Sequence, residues 1–192
     1  MRIALFGGTF DPIHWGHLLL AESARASHHL DRILFIPAGI PPHKSPPQVS
    51  APHRFAMVCR AIASNPSFEA SDWEIRQQRA VYAFETIAHF RRLWPRHKLF
   101  FIVGSDSLQQ IDRWRMGRSL LDQCVFLVAE RPGTPPSALA PVLRREARRI
   151  PGPAIPLSSH EIRARVRQGK SIRYQVLEPV ERYIRRKRLY KK

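Results

Sequence analysis

The sequence predicts an α/β protein: an open, mostly parallel sheet with helices on both faces, plus a C-terminal helical subregion. Three observations predict it. Short apolar runs at Arg2–Phe6, Ile33–Pro37, Leu99–Val103 and Val125–Ala129 read as strands, the first of them buried on both sides. Stretches with apolar residues at helical spacing lie between them. Strands alternating with helices imply crossover connections, and crossovers give parallel pairing. In such sheets ligands sit beyond the carboxyl ends of the strands. The residues just after Phe6, Pro37, Val103 and Ala129 are therefore the places to look.

Taken in order, Arg2–Phe6 is the first strand and His17–Ala26 the first helix. Ile33–Pro37 is the second strand. Residues 38–52 form a proline-rich loop, too short for a domain linker and suited to a mobile site loop. Ser50 caps and Pro52 starts a helix that carries Phe55, Val58 and Ile62 on one face. Phe68–Asp72 is a weak strand, and Val81, Phe84, Ile87 and Ala88 have helical spacing up to Trp94. Leu99–Val103 is the strongest strand and ends at Gly104. A helix pair follows, then the strand Val125–Ala129. Pro135 and Pro136 open a helix expected to run through Arg149. Ser158 at N-cap and Glu161 at N3 fit a capping box. Leu177, Val180 and Ile184 form the apolar stripe of a terminal helix. The whole of 1–192 reads as a single domain, with an α/β core over 1–156 and C-terminal helices over 157–192.

A chain of 192 residues is long enough to bury a real core. Its 44% hydrophobic and 24% charged content is ordinary for a globular protein. No apolar run approaches the roughly 20 residues of a membrane helix. Met1–Phe6 begins like an export signal but enters Gly7-Gly8-Thr9 without a long apolar stretch or a cleavage site, so it is not read as one. Cys59 and Cys124 each lie in an apolar segment and are expected to be reduced thiols, as in the cytoplasm. The charge is unusual. There are 32 Lys and Arg against 15 Asp and Glu, a net +17, and Arg144–Lys192 alone holds 16 basic and 4 acidic residues. Such a field attracts nucleic acid, acidic membrane surfaces or nucleotide phosphates. On the terminal helix, Arg182, Arg185, Arg186 and Arg188 fall off the apolar stripe and read as a wet basic face.

The segment from Gly7 to His17 carries the chemistry. It follows the first strand directly and reads Gly7-Gly8-Thr9-Phe10-Asp11-Pro12-Ile13-His14-Trp15-Gly16-His17. A glycine pair permits positive φ and lets backbone N–H groups approach a phosphate. His14 and His17, three residues apart at a helix start, present both imidazoles on one face. Unpaired N–H groups and the helix dipole favour an anion there. Gly16 between them keeps the surface open. The string is neither a Walker loop nor a Gly-x-Gly-x-x-Gly fingerprint. A plain strand–turn–helix joint would explain His-x-Gly-His alone, but not the whole string at a strand end. Ser159 and Arg163, on the first turns of a later helix, make a second anion site at what is also a capped terminus. Asp106, after the central strand, suits a ribose hydroxyl or a helix cap.

These residues resemble the nucleotidyltransferases with a His-x-Gly-His signature. Among them the chain is most similar to bacterial nicotinate-nucleotide adenylyltransferases, whose form is Gly-Gly-x-Phe-Asp-Pro-x-His-x-Gly-His. The resemblance runs nearly the whole length: Pro41-Pro42-His43-Lys44, Gly104-Ser105-Asp106, Trp114, Arg131-Pro132-Gly133, Leu157-Ser158-Ser159-His160-Glu161-Ile162-Arg163, and the tail through Tyr183-Ile184 and Leu189-Tyr190. It implies a Rossmann-like fold and a cytoplasmic enzyme of NAD biosynthesis. That enzyme passes the adenylyl group of ATP to the 5′-phosphate of nicotinate mononucleotide. It further implies catalytic His14 and His17, with ATP held by these two and by Gly7, Gly8, Thr9, Phe10, Gly104, Asp106, Ser158, Ser159 and Arg163. The mononucleotide would meet His43, Lys44, Tyr82, Trp114 and Arg131. Mg²⁺ is expected to travel with ATP, with no metal held by the protein. No membrane or specific nucleic-acid partner is expected, and oligomeric state is not readable. Two departures stand out: His160 replaces a usual threonine, and Ala80-Val81-Tyr82-Ala83 replaces Pro-Ser-Tyr-Thr. The second leaves nicotinate versus nicotinamide selection open. Pantetheine-phosphate adenylyltransferase shares the first motif, but the loop at 41–47, Trp114 and the basic tail argue against it. A rival of another class is a nucleic-acid-binding protein on this scaffold, with a steep salt slope and no turnover.

Overall fold

The computed structural model describes residues 1–42, 45–105, 123–129, 147–152 and 155–191. Among these, the strands are β1 (Arg2–Gly8), β2 (Arg32–Pro37), β3 (Phe68–Ala70), β4 (Lys98–Gly104), β5 (Val125–Ala129) and β6 (Ala147–Arg149). The helices are α1 (Trp15–Ser27), α2 (Ala51–Ile62), α3 (Trp73–Arg76), α4 (Ala83–Leu93), α5 (Ser159–Arg167) and α6 (Glu178–Arg186). The strands make one parallel sheet in the order β3-β2-β1-β4-β5-β6. Chain order reverses between β1 and β4, which is where doubly wound sheets open a ligand crevice. Ile3–Phe6 and Leu99–Val103 are buried throughout, as continuous apolar runs in a covered parallel sheet should be. The register sets Arg2 opposite Lys98 and Phe6 opposite Ile102, so Gly7 and Gly104 finish at the same end of the sheet.

One expected element is overturned. The helix predicted to run through Arg149 does not include Ala147–Arg149, which pair in parallel with β5, Ala147 opposite Phe126 and Arg149 opposite Val128. The Ile150 N–H continues the ladder to the Val128 carbonyl at 2.9 Å, and Ile150 is buried. A free sheet edge offers this segment backbone partners that outweigh the high intrinsic helix propensity of its alanine and arginines. The remainder of that helix, at 135–146, and the helix pair expected after Gly104 lie outside the described residues.

The chain divides into two compact units, and β1, α1 and β2 run through both. The first holds Met1–Gly7, Leu20–Leu34 and Tyr82–Ala154. Its core is the middle of the sheet with Ile87 and Phe90 of α4, and Phe101 meets Phe126 edge-on at 5.8 Å. Arg2, at the start of β1, donates to the His28 carbonyl just beyond α1 at 2.9 Å. The second unit holds Gly8–Leu19, Phe35–Val81 and Ile155–Lys192. Here Phe35 bridges Phe10 and Phe68, at 5.9 and 5.3 Å. Helix α2 packs against α6 and β3. Arg60 lies over the Tyr183 ring at 4.3 Å, and the Tyr183 hydroxyl is 2.9 Å from His53 Nδ1.

Two details of α2 differ from expectation. Ser50 occupies the N-cap position but its hydroxyl makes no capping bond, so the start rests on Pro52 in the first turn. The buried stripe is Arg54, Met57, Val58, Ala61 and Ile62, which leaves Phe55 only half-buried. Cys59 and Cys124 are both free thiols, Cys124 buried and Cys59 half-buried. Burial pushes the Cys124 thiol up to about 12, which makes it unreactive. No helix among the described residues is long and apolar enough to cross a membrane.

Candidate active site

The site residues gather in the second unit around the segment that leaves β1. Gly7 and Gly8 do not take the positive φ that a glycine pair permits; both belong to the strand, and the left-handed position falls to Phe10, at φ 49°. The need for glycine at position 8 is one of space. A Cβ there would stand 2.8 Å from the Phe10 ring, which folds back over the strand end. Phe10 is 2% exposed and meets His17 edge-on at 5.1 Å, so its side chain supports a histidine from below. The Asp11–Pro12 peptide bond is cis.

The two histidines stack at the start of α1, with ring centroids 3.8 Å apart. The backbone N–H of His14 donates to His17 Nδ1 at 3.3 Å. An accepting Nδ1 carries no proton, so the neutral His17 ring holds its proton on Nε2 and can donate from there. His14 is 6% exposed. Burial lowers its imidazole to about 4, so it is neutral at neutral pH, and its Nδ1 has no partner among the described residues. Gly16 leaves room for the stack: a Cβ there would crowd His14 Nδ1 and Cε1 at 3.1 Å. The helix start is less open than expected, because the Trp15 N–H already donates to the Gln175 carbonyl at 3.2 Å.

The second anion element converges on this loop. Ser158 caps α5, its hydroxyl accepting from the Glu161 N–H at 3.2 Å. The Ser159 hydroxyl donates to the Pro12 carbonyl at 2.8 Å. Arg163 donates from Nη1 to the Asp11 carbonyl at 2.7 Å. The N-terminus of α5 is thus held against the loop that carries the histidines, and His160 points to solvent.

Three residues unassigned in the sequence hold the loop from behind. Arg54 is 1% exposed and donates to the Thr9 carbonyl at 2.8 Å and the Gly39 carbonyl at 2.9 Å. It thereby joins the histidine loop to the loop after β2. Gly39 is needed there because a Cβ would meet the Glu74 carbonyl oxygen at 2.6 Å. Desolvation lowers the Arg54 pKa, opposed by the charge of Asp11. Asp11 is buried, taking the Tyr190 hydroxyl on Oδ1 at 2.7 Å and the Gln48 N–H on Oδ2 at 2.8 Å. Arg54 had a signal in the sequence: it sits on the 54, 57, 58, 61, 62 stripe, where an arginine is out of place unless it has buried partners. Asp11 and Tyr190 are 179 residues apart, and no spacing rule joins them.

In the first unit, Gly104 ends β4 with open space where a Cβ would stand, and Tyr82 occupies the N-cap position of α4, stacked near Phe84 at 6.3 Å. His43, Lys44, Asp106, Trp114 and Arg131 lie outside the described residues.

A doubly wound sheet with paired histidines and a capped helix terminus at the exit of its first strand defines a nucleotidyltransferase-type site. The cytidylyltransferase-like family model matches residues 5–165. A probable nicotinate-nucleotide adenylyltransferase of Desulfitobacterium hafniense is 41% identical over 198 residues, covering 99% of this chain and 96% of that protein. One of Thermus thermophilus is 41% identical over 192 residues, covering 100% of both. The Plasmodium falciparum nicotinic acid mononucleotide adenylyltransferase, in its structure complexed with NaAD, shares the fold at TM-score 0.81. It is 22% identical, covering 98% of this chain and 97% of that one. The chain belongs to the nicotinate-nucleotide adenylyltransferase family of cytidylyltransferase-like proteins.

Proposed function

We propose that this protein transfers the adenylyl group of ATP to the 5′-phosphate of nicotinate mononucleotide, releasing pyrophosphate and giving nicotinate adenine dinucleotide, in the cytoplasm. The observation that carries the reading is the meeting of the His14–His17 stack with the α5 terminus at one loop. Full-length relatives that bear this activity in their names support the choice of substrates.

The mononucleotide phosphate attacks the α-phosphorus of ATP in line, so no protein nucleophile is required. The protein positions the reactants and stabilises charge. His17 donates from Nε2 to a phosphate oxygen as charge builds. Neutral His14, with its unpartnered Nδ1, adds a second polar contact. Ser159 and Arg163 hold the leaving pyrophosphate at the α5 terminus, where the helix dipole favours it. Gly7, Gly8, Thr9, Phe10, Gly104, Asp106 and Ser158 shape the rest of the ATP site, and His43, Lys44, Tyr82, Trp114 and Arg131 receive the mononucleotide. Mg²⁺ enters with ATP, carried on its phosphates. Among the described residues no group of three His, Cys, Asp or Glu side chains forms a metal cage.

The test is pyrophosphate release with MgATP, offered nicotinate mononucleotide and nicotinamide mononucleotide in parallel. Strong preference for the first is expected. Equal or reversed preference would keep the chemistry and overturn the substrate. In the same assay a folded His17→Ala variant should lose about 10²–10³ in rate, the usual cost of one preorganised donor. Near-normal turnover by it would remove the proposed role of the signature.

A further inference from the structure

We infer that Tyr190 is a positioning residue, which occupies the Asp11 carboxylate and so keeps the Arg163 guanidinium available to the phosphates of ATP. The inference rests on the reading of Arg163 above. Asp11 and Tyr190 are 4% and 6% exposed, so neither is satisfied by bulk water. Each carboxylate oxygen instead has a neutral donor: Oδ1 takes the Tyr190 hydroxyl at 2.7 Å and Oδ2 takes the Gln48 N–H at 2.8 Å.

Arg163 is the nearby cation. Its Nη1 bonds the Asp11 backbone carbonyl at 2.7 Å but stands 3.9 Å from Oδ2, beyond hydrogen-bond length. Its Nε has no partner among the described residues. The two form a long ion pair without a hydrogen bond, so the guanidinium is steered by the backbone carbonyl and only loosely held by the carboxylate. Arg54 also feels the Asp11 charge, but its two hydrogen bonds are committed to the carbonyls of Thr9 and Gly39. Burial and the Asp11 charge raise the Tyr190 pKa, which keeps the phenol protonated and a donor.

Removing the hydroxyl leaves a buried carboxylate oxygen without a donor, and an unpaired buried charge closes on the nearest cation. Arg163 would then turn from the phosphate site and tighten its 3.9 Å ion pair with Asp11 into a hydrogen-bonded one. The device links the segment after α6 to the signature loop, and its effect falls on ATP rather than on the mononucleotide.

The experiment compares wild type, Tyr190→Phe, and Tyr190→Phe combined with Asp11→Asn. It measures KM for MgATP and for nicotinate mononucleotide, with calorimetric binding of MgATP as a readout that needs no turnover. Tyr190→Phe should weaken MgATP about tenfold, the effect of one charge-assisted contact, with KM for the mononucleotide unchanged. The double variant has no carboxylate to capture Arg163. It should bind MgATP within about twofold of wild type, which keeps the test open should the single variant fold poorly. Wild-type affinity in Tyr190→Phe, equal weakening for both nucleotides, or a tenfold loss persisting in the double variant would overturn the inference. A wild-type protein that binds MgATP but releases no pyrophosphate would instead overturn the reaction proposed above, and the calorimetry would still report on Tyr190.

Discussion

His14 is the residue whose surroundings matter most to its chemistry. A histidine is ordinarily half-charged near pH 6.5, but burial beneath the loop holds this one to about 4. The unfolded chain thus binds more protons than the folded one between those values, and folding stability falls as pH drops through that window. Between pH 7 and pH 5 the loss due to His14 should be about 2 kcal/mol. Urea unfolding of wild type and His14→Gln at the two pH values checks this. The variant should lose correspondingly less on acidification, and an identical loss in both would mean His14 titrates normally. At this scale the pair His14 and His17 was readable from its spacing. What was not readable is which tautomer His17 adopts. That depends on a 3.3 Å bond between the His14 backbone N–H and His17 Nδ1, and on a ring of Phe10 folded beneath them. For Gly8 and Gly16 the structure shows a steric role in place of the positive φ and open surface expected of them. Both are glycine because an aromatic ring needs the space of a Cβ.

At the scale of elements, α2 joins two site loops through a single side chain. Arg54 takes a position in the buried stripe that would otherwise be aliphatic, and it satisfies the carbonyls of Thr9 and Gly39. Arg54→Met keeps the volume and the apolar character of that stripe but leaves both carbonyls without their donor. The expected cost is about 2–4 kcal/mol of stability, with a fall in kcat/KM of folded enzyme because the histidine loop is no longer tied down. Denaturant midpoints and steady-state kinetics measured together test this; full activity at reduced stability would confine Arg54 to a structural role. The strands β1, β2, β4 and β5 were legible because each is a continuous apolar run between turn residues. Ala147–Arg149 was misread as helix because its strand identity lies in its neighbour β5, not in its own side chains.

Across the whole molecule the dominant feature is a net charge of +17. Both proposed substrates are polyanions, so this field should speed their approach and be screened by salt. Raising KCl from about 50 to about 200 mM should raise KM for both nucleotides roughly two- to threefold with kcat little changed. Salt-independent KM values would show that the charge serves another purpose. On α6 much of it is locally compensated or wet: Arg185 pairs with Glu181 at 2.9 Å while staying 74% exposed, and Arg182 faces Glu178 at 3.6 Å. These exposed pairs contribute little to stability.

The sequence by itself determined the α/β class, the parallel sheet, the loop after β1 and the cap of α5. All of these depend on patterns within a few residues of one another: apolar periodicity, glycine and proline placement, and i, i+3 spacing. The tertiary structure alone decided which groups hold that loop in place. Arg54, Gln48, Arg163 and Tyr190 reach Thr9–Asp11 from elsewhere in the chain. Their roles arise because a buried carboxylate and buried carbonyls must find donors, and only the folded chain places those donors within hydrogen-bond length.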